Sequence, residues 1–145
     1  MKAIVILVAA AALVFAAAAG AARLAVIYGT PGPDRLEGTQ AGDVIFGRGG
    51  GDVMRGHAGN DVLYGDGGND VMWPGAGRDV QYGGNGDDVL HALANDNQVD
   101  VLDCGPGDDV AYVIVHDPVT LRGCEHVVTL TPDQAQAIAV ANGDD

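Results

Sequence analysis

The chain has 145 residues and a formal net charge of −13, carried by 18 Asp, 2 Glu, 6 Arg and 1 Lys, with 23 Gly and 5% aromatics. That length holds one domain with or without a leader, which excludes a catalytic domain beside a second module, and the charge excludes nucleic acid as a partner because phosphates would be repelled. Acidic, aromatic-poor chains are often disordered, yet disorder accepts Glu as readily as Asp, whereas a short carboxylate held against a turn backbone must be Asp.

Residues 1–22 read as a secretory signal peptide. Lys2 supplies the positive start, the apolar run Ile4 to Phe15 is short, and Ala17-Ala18-Ala19 or Ala19-Gly20-Ala21 offers small residues at signal-peptidase spacing. Cleavage would leave a secreted, lysine-free chain of charge −14: 6 Arg against 20 acids. A membrane is a partner only if this segment stays uncleaved, since twenty apolar residues could span a bilayer.

From Gly29 to His91 the sequence divides into seven unbroken nonapeptides: GTPGPDRLE, GTQAGDVIF, GRGGGDVMR, GHAGNDVLY, GDGGNDVMW, PGAGRDVQY and GGNGDDVLH. The sixth place is Asp every time: Asp34, Asp43, Asp52, Asp61, Asp70, Asp79 and Asp88. Gly opens six units, with Pro74 the departure, and the eighth place is apolar in six, with Gln81 the exception. A phase-locked pattern of this kind rules out simple disorder. The Gly-, Asn- and Asp-rich first six residues make a turn, and the last three make a short strand whose eighth residue points inward. Two units return the chain to its start after 18 residues. Stacked coils then align a thin apolar core and gather the acids into two ladders, Asp34, Asp52, Asp70 and Asp88 on one flank and Asp43, Asp61 and Asp79 on the other.

Carboxylates stacked at strand spacing repel unless a cation lies between them. Asp oxygens combined with turn carbonyls are hard ligands, which favour calcium over softer metals and over the small octahedral cage of magnesium. GRGGGD lacks the Lys-Ser/Thr of a phosphate loop. The recurring carboxylates describe a repeated ligand rather than a catalytic pair, and no nucleophile–base constellation stands out, so no enzyme is expected. His57, His91, His116 and His126 show no metal-ligand spacing and are expected at the surface or in loops.

These nonapeptides resemble the G-G-x-G-x-D-x-U-x repeats of the RTX, or haemolysin-type, calcium-binding family. The resemblance implies an all-β, right-handed parallel β-roll of 18-residue coils spanning 29–115. It also implies calcium sites built from the sixth-place Asp side chains and from carbonyls of the turn glycines Gly47, Gly50, Gly56, Gly59, Gly65, Gly68, Gly83 and Gly86. It is firmest at Asp52, Asp61, Asp70 and Asp88. It weakens at Asp34, where Pro31 and Pro33 stiffen the turn, at Asp43, where Ala41 replaces the fourth-place Gly, and at Gln81, which interrupts the core.

After His91 the phase slips by three. ALANDNQVDVLD at 92–103 puts Asp100 and Leu102 at the sixth and eighth places, and CGPGDDVAY at 104–112 resumes the motif with Asp109. The D-x-L-D-C-G-P-G-D-D run and its following G-C-E resemble terminal units of secreted bacterial RTX proteins. Cys104 and Cys124 lie 20 residues apart, close to one coil, so a disulfide between neighbouring layers is expected in an oxidising compartment. Val110–Val115 and His126–Leu130 would end the stack. Within a capping segment at 116–145, Thr131-Pro132-Asp133-Gln134 predicts a capped helix start. Ala135, Ile138 and Ala139 would share the face of a short helix covering the open edge.

The sequence thus describes a secreted calcium-binding module that folds on binding about five to seven ions, counted from pairings between successive turns of one flank. An extracellular structural or binding module is expected, with an accessory or adhesion-type module working with a secreted enzyme or toxin as the alternative.

Overall fold

The computed structural model describes residues 4–7, 13–14 and 23–142. Most of the leader expected at 1–22 lies outside them. Two seven-stranded parallel sheets form the body. One contains β1 (Ile4–Leu7), β3 (Ala25–Tyr28), β5 (Val44–Gly49), β7 (Val62–Gly67), β9 (Val80–Asn85), β11 (Asp100–Asp103) and β13 (Val119–Arg122) in that order. The other contains β2 (Leu13–Val14), β4 (Arg35–Glu37), β6 (Val53–Ala58), β8 (Val71–Ala76), β10 (Val89–Ala92), β12 (Val110–Ile114) and β14 (His126–Leu130). Neighbours within a sheet are always two strands apart in sequence, so the chain alternates between sheets and climbs one layer per coil. The register confirms the 18-residue period, with Val44 beside Val62 and Val62 beside Val80. Across the three-residue insertion it becomes 21, with Val80 beside Val101 and Val89 beside Val110. This is the parallel β-roll expected from the repeat, and its strands continue past residue 115 to Leu130.

Period-two alternation explains the strands. The seventh-place Val faces outward and half-buried, while the eighth-place side chain enters the core. Ile27, Ile45, Leu63 and Leu102 from the first sheet meet Leu36, Met54, Met72 and Leu90 from the second, each no more than 1% exposed. Gln81 takes its core place regardless. Its Nε2 donates to the His91 carbonyl at 2.7 Å, while its Oε1 finds no partner.

Ninth-place residues form ladders on the outer faces. Tyr28, Phe46, Tyr64 and Tyr82 stack at centroid spacings of 4.9–5.0 Å on the first sheet, the strand spacing itself. On the second, Trp73, His91 and Tyr112 also stack, at centroid spacings of 3.4 and 5.1 Å, and the buried Glu37 accepts from Arg35, Arg55 and His57 at 3.0–3.2 Å. His91 is therefore not the surface residue expected: it is 5% exposed, burial pulls its pKa down to about 4, and its Nδ1 donates to the Met72 carbonyl at 2.9 Å.

The helix α1 (Pro132–Asn142) forms as its start signals require. The Thr131 N–H donates to Gln134 Oε1 at 2.9 Å, and the Gln134 N–H returns a bond to Thr131 Oγ1. Ala135 is buried, but the helix does not cover the end of the core. Val127, in register with core residue Ala111, stays 47% exposed. Instead α1 turns back beside the second sheet, where Pro132, Gln136 and Ala139 face Trp73 and His91 across a 520 Å³ cleft. No helix among the described residues is long and apolar enough to cross a membrane.

Candidate metal centre

The turns between strands stack on two flanks, and each sixth-place Asp is buried at the base of its turn. One carboxylate oxygen is used to hold layers together. On one flank the N–H groups of Asp34, Asp52, Asp70 and Asp88 donate to Oδ1 of Asp52, Asp70, Asp88 and Asp109 at 2.7–2.8 Å. On the other, the N–H groups of Ala25, Asp43, Asp61 and Asp79 donate to Oδ1 of Asp43, Asp61, Asp79 and Asp100 at 2.6–2.9 Å. All nine expected Asp residues are thus placed on the two ladders. The reach is that of an Asp side chain lying along its own turn, which accounts for the scarcity of Glu.

The second oxygen behaves differently along the chain. Oδ2 of Asp52, Asp61, Asp70, Asp79, Asp88 and Asp109 is buried without any partner. A bare carboxylate oxygen away from water is costly unless a cation compensates it. Beside four of these oxygens lies a main-chain carbonyl of the next layer. A β-carbon placed on Gly47 would stand within 3.0 Å of both Asp52 Oδ2 and the Gly65 carbonyl. Gly56 relates in the same way to Asp61 and Pro74, Gly65 to Asp70 and Gly83, and Gly83 to Asp88 and Cys104. First-place glycine is therefore needed to keep this oxygen-lined hollow open.

The turns also explain why the first two units differ. In the five units from Gly47 to His91, the second and fourth places are both left-handed. The second places are Arg48, His57, Asp66, Gly75 and Gly84; the fourth places Gly50, Gly59, Gly68 and Gly86 have φ of 104–132°, and Gly77 matches them. Thr30 and Thr39 hold the second place in the first two units and are not left-handed, because a β-branched side chain is excluded from that region. Their N–H groups instead close onto Oδ2 of Asp34 and Asp43. Beside Pro31, Pro33 and Ala41, Thr at the second place is the stronger mark of these units, and it is readable from sequence.

Two further contributions escaped the periodicity. Fifth-place side chains form their own rungs, with Asn60 Oδ1 accepting from the Arg78 N–H at 3.0 Å and Asn69 Oδ1 from the Asp87 N–H at 3.1 Å. Glu125 extends one ladder beyond the repeats, its Oε2 accepting from the Asp109 N–H at 3.1 Å. The G-C-E segment held that signal, hidden by the change from Asp to Glu.

Burial pushes Asp52, Asp70, Asp88 and Asp100 up to about 6, Asp79 up to about 7 and Asp61 up to about 8. Main-chain donors from the preceding layer oppose the rise, and neighbouring carboxylates add to it. Asp109 moves in the same direction. Among the described residues no three His, Cys, Asp or Glu side chains converge on a metal position. The donors are instead one carboxylate oxygen per layer plus carbonyls, an all-oxygen set that fits calcium.

A parallel β-roll with two carboxylate ladders opposite main-chain carbonyls defines a class of calcium-binding repeat protein. The RTX calcium-binding nonapeptide repeat matches in four copies, over residues 28–61, 46–81 and 82–112. The chain belongs to that family and is a calcium-binding repeat protein. Nothing among the curated proteins or the solved structures matches it.

The raised pKa values set a pH dependence. Well below pH 4 the carboxyls with raised pKa values are protonated in folded and unfolded chains alike. Between there and pH 6–8 the unfolded chain has released protons that the metal-free fold still holds. Metal-free protein should therefore lose β-structure in far-UV circular dichroism as pH rises from 4 to 8. Calcium-saturated protein should do the opposite, because the ion requires ionised carboxylates. Identical profiles would contradict the assignment of the bare oxygens.

Substitution separates the ladder from general charge. Asp61→Asn and Asp70→Asn should each raise the calcium midpoint of folding by about tenfold or more, as loss of metal-site contacts does. Asp66→Asn removes the same charge from an exposed second place and keeps a residue that tolerates its φ of 70°. It should leave the midpoint nearly unchanged in the same titration.

Proposed function

We propose that the chain is exported through its N-terminal leader and works outside the cell as a structural or binding module whose fold is assembled by calcium. The observation that carries this reading is the row of buried, unpartnered Oδ2 atoms beside carbonyls of the next layer. Calcium would supply the positive charge that lets these carboxylates stay ionised and buried. Asp52, Asp61, Asp70 and Asp88 would each hold an ion together with the carbonyl of Gly65, Pro74, Gly83 or Cys104. Asp79 and Asp109, whose next layers are irregular, would complete weaker sites. Asp34 and Asp43 contribute less, because the Thr30 and Thr39 N–H groups already engage their second oxygens.

Four to six ions follow, overlapping the lower part of the range counted from turn pairings alone. Removing them leaves a chain with a thin core and a large unbalanced charge, for which the unfolded state is favoured. Ion-binding energy thereby becomes folding energy. Support for export is the leader's composition, and for a non-catalytic role the use of every repeated carboxylate in one structural pattern.

The test is far-UV circular dichroism of the mature chain near neutral pH, with calcium and with a chelator, joined to titration calorimetry. β-structure should appear only with calcium, and at least four ions should bind. β-structure indifferent to the chelator, or a count of one or two ions, would sink the proposal.

A further inference from the structure

The interior turns are gripped by equivalent turns on both sides, but the last one, 104–109, is not. Beyond it the repeat pattern ends, and the next layer on that flank is the short stretch from Arg122 to Glu125. The strands of that layer, β13 and β14, pair with β11 and β12, but its turn is thinly held. Val127, the core-register residue after it, is 47% exposed, and Glu125 replaces the sixth-place Asp from an exposed position. The disulfide between Cys104 and Cys124, joining Cα atoms 5.1 Å apart, cross-links this turn to the one before.

Cys104 is also the first-place residue of turn 104–109. Its carbonyl lies with Asp88 Oδ2 in the hollow over Gly83, and it accepts from the Gly84 N–H at 3.0 Å. Its N–H donates to the Arg122 carbonyl at 2.9 Å, and Cys124 precedes Glu125, which accepts from the Asp109 N–H. One cross-link thus holds an ion-site carbonyl directly and steadies the neighbouring Asp109 through Glu125. Asp109 in turn has one oxygen bonded to the Asp88 N–H and the other buried without a partner.

We propose that the Cys104–Cys124 disulfide stands in for the missing next repeat, so that the redox state of this pair and calcium occupancy of the Asp88–Asp109 site are reciprocally linked. This rests on the calcium reading above and adds its regulation. Reduction takes two electrons and two protons from two thiols such as glutathione, giving the Cys104 and Cys124 thiols and one glutathione disulfide. Freed from its tether, the turn from Arg122 to Glu125 frays between its paired strands and the Cys104 carbonyl loses its fixed position. Linkage then requires the converse, that bound calcium makes the disulfide harder to reduce.

Calcium titration calorimetry on oxidised and phosphine-reduced protein tests this, with Cys104→Ser/Cys124→Ser as the non-reducible comparison. Reduction and the double substitution should each weaken one class of site by about tenfold, within the usual 5–150-fold range of site coupling, and leave the interior sites unchanged. In a glutathione redox buffer, calcium should move the reduction midpoint to a correspondingly more reducing thiol ratio. Asp88→Asn should abolish the redox dependence, whereas Asp61→Asn on the opposite flank should retain it. Calcium bound with the same isotherm in both redox states would overturn this proposal and leave the calcium reading intact. No calcium bound in either state would overturn the calcium reading itself.

Discussion

Each sixth-place carboxylate is shared between two demands that pull in opposite directions. One oxygen receives a main-chain N–H from the layer before and fixes the distance between coils. In six of the nine the other is carried into the interior by the same geometry and left without a protein partner. A side chain that welds the stack therefore also burdens it with desolvated charge. The stacking of the coils and the sites for calcium come from one arrangement.

The rest of the repeat serves that carboxylate. First-place glycine keeps a β-carbon out of the space where Oδ2 and the next layer's carbonyl meet, while fourth-place glycine supplies a left-handed turn. The three-residue insertion at 92–103 is absorbed because both ladders cross it intact, with the Asp79 and Asp88 N–H groups reaching Asp100 and Asp109 at a separation of 21 residues instead of 18. The solenoid tolerates a longer loop, and on the flank of Asp100 it continues past the last rung, the Asp100 N–H donating to the Pro118 carbonyl instead. Where the rungs run out, a disulfide and Glu125 take over.

The outer faces add packing that the acids cannot provide. A core one side chain wide per strand buries little apolar area, and parallel stacking at strand spacing lets ninth-place rings extend it. Burial in such a stack makes His91 neutral at pH 7 and gives Gln81 a carbonyl to bond, so two polar residues that look out of place in the pattern are accommodated together.

The sequence by itself determined the period, the strand positions, the inward eighth place, the nine ladder Asp residues and the capped helix, because each depends on local spacing or turn chemistry. Local turn chemistry also decided which carboxylate oxygens are bare: the Thr39 N–H, four residues away, engages Oδ2 of Asp43, while Oδ2 of Asp61 at the same place in the repeat has no partner. Tertiary structure alone decided that Glu125 continues a ladder, that His91 is buried, and that the helix lies beside Trp73 rather than over the end of the core. These outcomes depend on contacts 16 to 21 residues apart or longer, where a neighbour in the next layer, and not the adjacent residue in the chain, sets the environment.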